Sequence, residues 1–293
     1  MRKLMNEFVN RKVKTTYEKK FVRYIATLTI TLFIVLTPLF TEASRPILIE
    51  GAMECETNFL IEKLQNPQEQ RIGGWRFISG DYEGIPVVVS VTSVGMTNAA
   101  AATVLGIETY HPLAVINQGT AGGHDAALHR FDIVLGAETI DLSAWVSKRE
   151  NKGADGRHIE LRPTYYYDDG IEKQEVELKA DSELLKVAAE EGKNYQAGKV
   201  VVGKISSSNN WNRQIDRIRF YNEKYGSSCE EMETHAAAHI CKNYKVPFLG
   251  IRILSNTEVY NEDFDPATGL ACQQYVLEVV KAYAKNKQIK TDA

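Results

Sequence analysis

Short apolar runs rich in β-branched residues recur along the chain from residue 46 onwards, and stretches with a helical period separate them. The runs occupy 46–49, 86–91, 113–116, 132–135, 199–205 and 247–254, and the helical stretches occupy 98–110, 181–191, 233–244 and 266–286. Near-continuous apolarity is typical of strands that are covered on both faces. Strands that alternate with helices indicate a mostly parallel sheet. We therefore predict an α/β fold, a three-layer sandwich with a central mixed, mostly parallel sheet.

The segment 148–173 lacks both kinds of pattern and contains the polar and aromatic run 164–167. We predict that it forms a long loop or an insertion. The chain shows no internal repeat, which is consistent with one large α/β domain of about 250 residues.

The amino terminus differs from the rest of the chain. Residues 1–23 carry eight Lys or Arg against two Glu, and the following 17 residues, 24–40, carry no charge. A basic region, an apolar run and small residues around Ala43 predict a secretory signal peptide within 1–43. The apolar run is close to the length that spans a bilayer, so an uncleaved anchor is the alternative. In both cases we expect a secreted or extracytoplasmic protein with its domain over 46–290, which touches a membrane only through the N-terminal segment.

Composition and charge exclude several classes of protein. Hydrophobic residues make up 44% of the chain and charged residues 25%, as in ordinary globular proteins. The net charge of -3 argues against a broad phosphate-binding surface, so nucleic acid is not an expected partner. The four cysteines form no CxxC pair, and we predict mostly packed thiols.

Polar and glycine-rich segments follow four of the predicted strands. They are 51–56, 119–123, 206–211 and 255–256. Ligands of parallel sheets bind beyond the carboxyl ends of the strands. We therefore expect these four segments to converge on one pocket.

Five motifs in order resemble those of one family. They are Gly-Ala-Met-Glu-Cys-Glu at 51–56, Ser-Val-Gly-Met-Thr-Asn-Ala-Ala at 93–100, the glycine turn at 117–123, Glu-Met-Glu at 231–233, and Val-Pro-Phe with Arg-Ile-Leu-Ser at 246–248 and 252–255. The chain resembles the nucleoside phosphorylase superfamily, and it is most similar to the 5'-methylthioadenosine/S-adenosylhomocysteine nucleosidases. The resemblance implies a nucleoside phosphorylase-like fold, hydrolysis of the N-glycosidic bond of a purine nucleoside without a cofactor, and a homodimer.

The resemblance also implies the catalytic residues. Glu56 corresponds to the general base that takes a proton from the attacking water. Arg252 and Thr120 correspond to residues that hold this water. For Glu56 alone, the alternative is a first-turn acid that stabilises a helix.

The remaining matches imply contacts with the substrate. Glu233 corresponds to the carboxylate that accepts hydrogen bonds from the ribose hydroxyls, and Met232 to a thioether against the sugar. Trp211 corresponds to an aromatic platform for the purine, and the backbone of Asn212 to a segment that binds the base edge. Met53 and Ser255 complete the predicted substrate-binding set.

Water is favoured over phosphate as the nucleophile. The phosphorylases of this superfamily carry cationic side chains in the first glycine turn and ahead of the second. Here these places hold Glu54-Cys55-Glu56 and Asn117-Gln118. The alternatives are a phosphorolytic enzyme and an extracytoplasmic nucleoside-binding protein without turnover.

Asn256 departs from the nucleosidase pattern, which has an Asp that protonates the purine N7. An amide can hydrogen-bond N7 but cannot deliver a proton. Three interpretations stay open. The protein prefers a 6-oxopurine nucleoside, another acid such as Glu258, Asp263 or Asp265 protonates the base instead, or the site binds a nucleoside without cleaving it.

His235 and His239 have the spacing of zinc ligands on a helix. The glutamate of the H-E-x-x-H pattern is absent, because Ala236 stands in its place. We therefore predict no metal.

Overall fold

The computed structural model describes residues 45–149 and 157–289, and the expected signal or anchor segment lies outside them. The helices are α1 (Glu54–Lys63), α2 (Met96–Tyr110), α3 (Ser182–Glu191), α4 (Ile215–Tyr225), α5 (Thr234–Tyr244) and α6 (Thr268–Asn286). The strands are β1 (Ile47–Gly51), β2 (Gln65–Ile72), β3 (Trp75–Tyr82), β4 (Ile85–Val91), β5 (Ala114–Gly123), β6 (Ile133–Asp141), β7 (Trp145–Ser147), β8 (Ile159–Leu161), β9 (Thr164–Asp168), β10 (Ile171–Glu175), β11 (Leu178–Lys179), β12 (Val200–Ser207), β13 (Ser227–Glu231) and β14 (Phe248–Asn256).

One large sheet contains most of these strands. β1 lies between β4 and β5 and is parallel to both, whereas β2 and β3 extend the sheet beyond β4 in antiparallel order. β1, the centre of β4 and most of β5 are buried, because helices cover both faces of this region. The prediction of an α/β protein with a mixed sheet is confirmed.

The other half of the sheet closes on itself. β5 pairs with β14, β14 with β6, β6 with β12, β12 with β13, and β13 returns to β5. A cluster of buried apolar side chains with members from all five strands packs together, as expected for the inside of a small barrel. The three-layer sandwich is therefore not confirmed, because a sandwich of this kind has an open sheet and part of this sheet closes into a ring. The sheet also has fewer parallel strand pairs than predicted. Within the ring, β13 is antiparallel to β5 and β6 is antiparallel to β14.

Paired glycines make room inside the ring. Gly136 and Gly250 face each other across β6 and β14. A Cβ atom on Gly136 would lie 2.7 Å from Cδ1 of Ile205, and one on Gly250 would lie 3.1 Å from the same atom. The Ile205 side chain therefore fills the space that two missing side chains leave, at the density typical of protein interiors.

Five of the six described helices form two groups. α1 and α3 each pack against α6 and on one large apolar cluster, whereas α2 and α5 pack together on a second cluster. No helix within residues 45–149 or 157–289 is both long and apolar enough to span a bilayer. Three of the four cysteines are buried and all four are free, which agrees with the prediction of packed thiols.

Each predicted strand and helix is present, but α1, α4, β2, β3, β13 and the small hairpins were not predicted. The segment predicted as a long loop contains the antiparallel pair β9 and β10. Asp169 and Gly170 join them with φ angles of 50° and 77°, the left-handed values of a tight hairpin turn. The loop alternative is therefore wrong for 164–173, where Asp-Gly is the sequence signal of a hairpin turn. The insertion alternative stays a prediction.

Candidate active site

A cavity of about 270 Å³ lies where β5, β13 and β14 end. Nine of the ten predicted site residues line it, and the tenth, Arg252, is buried behind them. The segment 51–56 follows β1 as expected, but the other three polar segments lie wholly or partly within strands, because β5, β12 and β14 continue through 119–123, 206–207 and 255–256. The ring requires this extra length, since β5 pairs with β13 only through its last residues.

Glu56 is 1% exposed and reaches from α1 to β5. Its Oε2 accepts hydrogen bonds from the backbone N–H groups of Ala52 (2.9 Å) and Met53 (3.1 Å). Its Oε1 accepts from the backbone N–H and from the hydroxyl of Thr120, both at 2.8 Å. The carboxylate thus caps its own helix, as the structural alternative proposed, and also faces the cavity.

Gly119 allows this approach. A Cβ atom at this position would lie 2.5 Å from Nη1 of Arg252 and 2.6 Å from Oε1 of Glu56. Real side chains do not come this close to other heavy atoms. The absence of a side chain at Gly119 therefore leaves room beside β5 for both the guanidinium and the carboxylate.

Arg252 is fully buried and is held from three elements. Its Nη2 lies 2.6 Å from Oε2 of Glu231 and 3.7 Å from Oε2 of Glu233. Nη2 also donates to Oδ1 of Asn117, and Nε donates to the Thr234 hydroxyl at 2.9 Å. Burial opposes the charge, yet the nearby carboxylates outweigh it and raise the pKa of Arg252. The side chain is therefore a fixed cation.

One nitrogen of this guanidinium, Nη1, is buried and has no hydrogen-bond partner in the described part of the chain. Nη1 is the atom nearest to the position that a Cβ atom of Gly119 would occupy, and Oε1 of Glu56 is the next nearest. A buried donor without a partner costs free energy unless a ligand or a water accepts its hydrogen bond. Nη1 therefore marks a place for a polar atom beside Glu56.

Glu233 precedes α5 and is 5% exposed. Its Oε1 accepts a hydrogen bond from the backbone N–H of Gly95 at 2.8 Å. Burial, together with repulsion from Glu231, raises the pKa of Glu233 to about 8 in spite of Arg252. The carboxyl is therefore poised to change its charge near neutral pH.

Trp211 lies at the mouth of the cavity with 60% of its surface exposed, and its ring meets Phe264 edge to face at 6.2 Å. An exposed indole at a cavity mouth is available for stacking. Asn212 was predicted to act through its backbone. In the structure its side-chain amide donates to both carboxylate oxygens of Glu230, at 2.7 and 2.6 Å.

Asn256 lines the cavity, and only one of the three candidate replacement acids does so as well. Glu258 lies in the cavity wall, with Oε1 accepting a hydrogen bond from Arg213 at 3.0 Å. Asp263 is on the surface with a 92% exposed side chain. Asp265 lies 3.9 Å from Arg130 and accepts a hydrogen bond from a backbone N–H. Replacement by Asp263 or Asp265 is therefore not supported.

The two histidines at zinc-like spacing have other partners. Nδ1 and Nε2 of His235 lie 3.0 and 2.7 Å from the hydroxyls of Thr139 and Thr164. Nε2 of His239 bonds the backbone oxygen of Tyr165. In the two described ranges, no three His, Cys, Asp or Glu side chains are grouped to hold a metal ion. That the protein needs no metal stays a prediction.

Sequence reasoning missed several polar residues of the site. Glu230 and His124 are buried and paired in the cavity wall, with Nε2 of His124 and Oε2 of Glu230 3.2 Å apart. Glu50 lies beneath the site, where its Oε2 accepts a hydrogen bond from Asn117 at 3.0 Å and burial raises its pKa to about 7. A charged residue directly after the apolar run 46–49 was the available signal for Glu50.

We expect that Arg252→Met will destabilise the protein by about 3–5 kcal/mol, since it leaves the Glu231 carboxylate buried without its counter-charge. Denaturant unfolding followed by circular dichroism measures this. Lys193→Ala is the control, because Lys193 and its partner Glu190 are both 68% exposed and such pairs contribute little. Equal stabilities of the two variants would contradict the central role of Arg252.

Comparison with known proteins agrees with this geometry. The family model of the phosphorylase superfamily matches residues 46–285. A 5'-methylthioadenosine/S-adenosylhomocysteine nucleosidase from Lysinibacillus sphaericus is 30% identical over 81% of this chain and 98% of its own length. The nucleosidase from Neisseria meningitidis, solved with methylthio-immucillin-A, superposes with a TM-score of 0.66 at 24% identity, over 81% of this chain and 99% of that one. Futalosine hydrolase from Helicobacter pylori superposes with a TM-score of 0.68 at 19% identity, over 82% and 99%. The chain therefore belongs to the phosphorylase superfamily, in the branch that contains the methylthioadenosine/S-adenosylhomocysteine nucleosidases.

Proposed function

We propose that this protein hydrolyses the N-glycosidic bond of a purine nucleoside to the free base and the ribose moiety. The observation that carries the proposal is one cavity in which Glu56 and Glu233 lie on either side of the buried cation Arg252. A general base and a ribose-binding carboxylate are the groups that this reaction needs. The nucleosidase relatives support the same reaction class.

Glu56 is positioned to activate water. Three of the four donors on its carboxylate are backbone N–H groups, which cannot turn away. The fourth, the Thr120 hydroxyl, can rotate and share its hydrogen bond with a water. Nη1 of Arg252 supplies a second donor on the same side. A water held by Thr120 and Arg252 would pass its proton to Glu56 as it attacks C1' of the ribose.

Glu233 and Met232 are placed to hold the ribose. Glu233 keeps Oε2 for a ligand, because Oε1 accepts from Gly95 and Nη2 of Arg252 is 3.7 Å away from Oε2. A carboxylate accepts hydrogen bonds from two neighbouring hydroxyls and strengthens them by its charge. The thioether of Met232, beside it in the cavity wall, supplies an apolar contact for the sugar.

The charge of the cavity favours water over phosphate. Five Glu side chains line it, and all but Glu233, whose pKa is about 8, count as negative charges at neutral pH; no Lys or Arg among the described residues lines it. The five are Glu56, Glu230, Glu231, Glu233 and Glu258. Two cations contact these side chains, and both are already opposed, Arg252 by Glu231 and Arg213 by Glu258. A phosphate dianion would be repelled, so phosphorolysis is disfavoured.

A second candidate function is nucleoside binding without turnover. Asn256 favours it, because an amide in the place of the acid cannot protonate the leaving base. Loss of general acid catalysis typically costs roughly 10²–10⁴-fold in rate. Equilibrium binding without base release would identify this function.

We also propose that the protein is exported and forms a homodimer. The basic and then apolar segment 1–40 supports export, either as a cleaved signal or as an anchor. Exposed apolar side chains around the cavity mouth, Val94, Trp211 and Phe264, support a partner at that surface.

We expect Glu56→Gln to lower base release by at least about 100-fold, because the amide cannot take the proton from water. The assay follows free base from inosine, adenosine, methylthioadenosine and S-adenosylhomocysteine with and without phosphate. Glu54→Gln, an exposed acid in the same helical turn, should retain activity. Base release that requires phosphate would refute hydrolysis, and full activity of Glu56→Gln would refute the role of this residue.

The apparent KM for the nucleoside should fall as the pH rises through about 8 and then level off. The raised pKa of Glu233 means that the carboxyl ionises only on this rise, and the ionised form accepts both ribose hydroxyls. The KM is measured across this range, and calorimetry in two buffers measures the proton released on binding. Glu233→Gln should abolish the dependence, whereas Glu50→Gln, which removes the other raised pKa near the site, should keep it. A flat profile in the unmodified protein would contradict the assignment.

Export is tested by fractionating cells and sequencing the N-terminus of the recovered protein. We expect the protein outside the cytoplasm, either starting near Ser44 or retaining residues 1–43 in the membrane. Recovery of the full-length chain in the cytosol would contradict export.

A further inference from the structure

A fully buried carboxyl lies in the central part of the sheet, outside the cavity wall. Glu50 is 0% exposed in β1, and the three residues before it, 47–49, are apolar and equally buried. Its Oε1 has no hydrogen-bond partner among the described residues, and burial raises its pKa to about 7, although Asn117 and Thr103 lower it. A buried polar group that is only partly satisfied costs stability. The stability of β1 therefore does not explain a carboxyl at this position.

One amide joins Glu50 to Arg252. Strand pairing places Asn117 of β5 between Glu50 of β1 and Gly250 of β14, so that the Glu50 and Asn117 side chains point to the same face of the sheet. Arg252 follows Gly250 by two positions and points to that face as well. Nδ2 of Asn117 donates to Oε2 of Glu50 at 3.0 Å, and Oδ1 accepts from Nη2 of Arg252. A hydrogen-bonded chain thus runs from β1 through β5 to the cation of the site.

The two ends of the Asn117 amide cannot be exchanged without loss. A guanidinium only donates hydrogen bonds, so the end that meets Arg252 must be the oxygen. The same oxygen lies 3.4 Å from the Thr234 hydroxyl, which donates to it. If the amide turned over, its NH2 group would meet Nη2 of Arg252 donor to donor. Glu50 prevents this, because it supplies the acceptor that holds the NH2 group on the far side.

The direction of this amide matters for the proposed water site. A guanidinium is planar and rigid, so the position of Nη2 fixes the position of Nη1. Nη1 of Arg252 is the proposed donor to the attacking water, next to Glu56. A guanidinium that is displaced at Nη2 no longer presents Nη1 at this place.

We propose that Glu50 is a positioning residue for hydrolysis: by accepting a hydrogen bond from Asn117, it keeps the oxygen of that amide on Arg252 and so fixes the guanidinium that holds the attacking water. This inference rests on the proposed nucleosidase function. Glu50 does not touch the substrate, because it lies outside the cavity wall. The ionised and the neutral carboxyl both carry an oxygen that accepts from Nδ2, so a pKa of about 7 does not interrupt the chain.

A purely electrostatic role is the competing explanation. An ionised Glu50 would help to balance the charge of Arg252, since the two attract each other through the interior. Such a role requires the charge of Glu50, whereas positioning requires only an acceptor atom. Glu50→Gln separates the explanations, because it removes the charge and keeps an oxygen for Asn117.

The experiment measures kcat and KM for base release by the full-length protein and its variants, with the nucleoside that the unmodified protein cleaves fastest. We expect Glu50→Met, which is apolar and has an unbranched side chain like Glu, to lower kcat by at least about tenfold, the magnitude of a hydrogen bond to a charged group. KM should change much less, because Glu233 keeps its hydrogen bond from Gly95. Glu50→Gln should have nearly the kcat of the unmodified protein.

Ser90→Ala is the matched control. Ser90 stands opposite Glu50 on β4, is equally buried, and its hydroxyl has no hydrogen-bond partner among the described residues. Removing this polar atom should leave kcat unchanged. An unchanged kcat in Glu50→Met would overturn the proposal, and so would an equal loss in Glu50→Gln, which would show that the charge is required. If Glu50→Met fails to fold, as judged by its melting curve, Glu50→Val takes its place, because Val suits a buried strand.

Nitrogen-15 NMR of the arginine side chains gives a readout that does not depend on turnover. Arg252 is fully buried and its Nε–H donates to Thr234, so this Nε–H should exchange slowly with deuterated water. We expect its signal to shift in Glu50→Met and to stay in place in Glu50→Gln and Ser90→Ala. An unmoved signal in Glu50→Met would contradict positioning. If no nucleoside is cleaved, the proposed function fails, and these signals still decide whether Glu50 positions Arg252.

Discussion

The buried guanidinium of Arg252 is the interaction on which the rest of the site depends. A cation without exposure is stable only if its lost hydration is replaced by fixed polar partners. Here Glu231 of β13, Asn117 of β5 and the Thr234 hydroxyl of α5 supply them. These contacts join the elements that form the cavity wall. They also place Nη1 next to Glu56, where a polar atom is still needed.

The closed ring brings these groups into reach of one another. In an open sheet β13 and β14 would lie apart, whereas both pair with the end of β5 here. Glu230 and Asn256 thereby face each other across Gly122, and Glu231 reaches Arg252. The glycines at this end of β5 serve the same purpose, because a side chain at Gly119 would collide with Glu56. The chemistry of the site thus follows from how the strands close.

The surplus of negative charge has a functional consequence. Glu56, Glu231 and Glu233 share one cation, and repulsion between the last two contributes to the raised pKa of Glu233. A cavity of this kind binds neutral donors, such as water, ribose hydroxyls and the N–H groups of a base, better than anions. The same property that disfavours phosphate therefore favours a hydrolytic reaction.

The sequence by itself determined most of the buried strands, four of the helices and the residues of the ribose end. β1, β4 and α2 follow from local periodicity, and Glu56 and Glu233 follow from motifs whose residues are close in the chain. The Asp169-Gly170 hairpin was also readable, because a left-handed turn leaves a local signature. Only the tertiary structure decided the ring, the unpaired Nη1 of Arg252 and the pairing of Glu230 with His124. These three features depend on strand register and on burial. Both result from contacts between residues more than 100 positions apart in the chain, and such contacts leave no periodic pattern in the sequence.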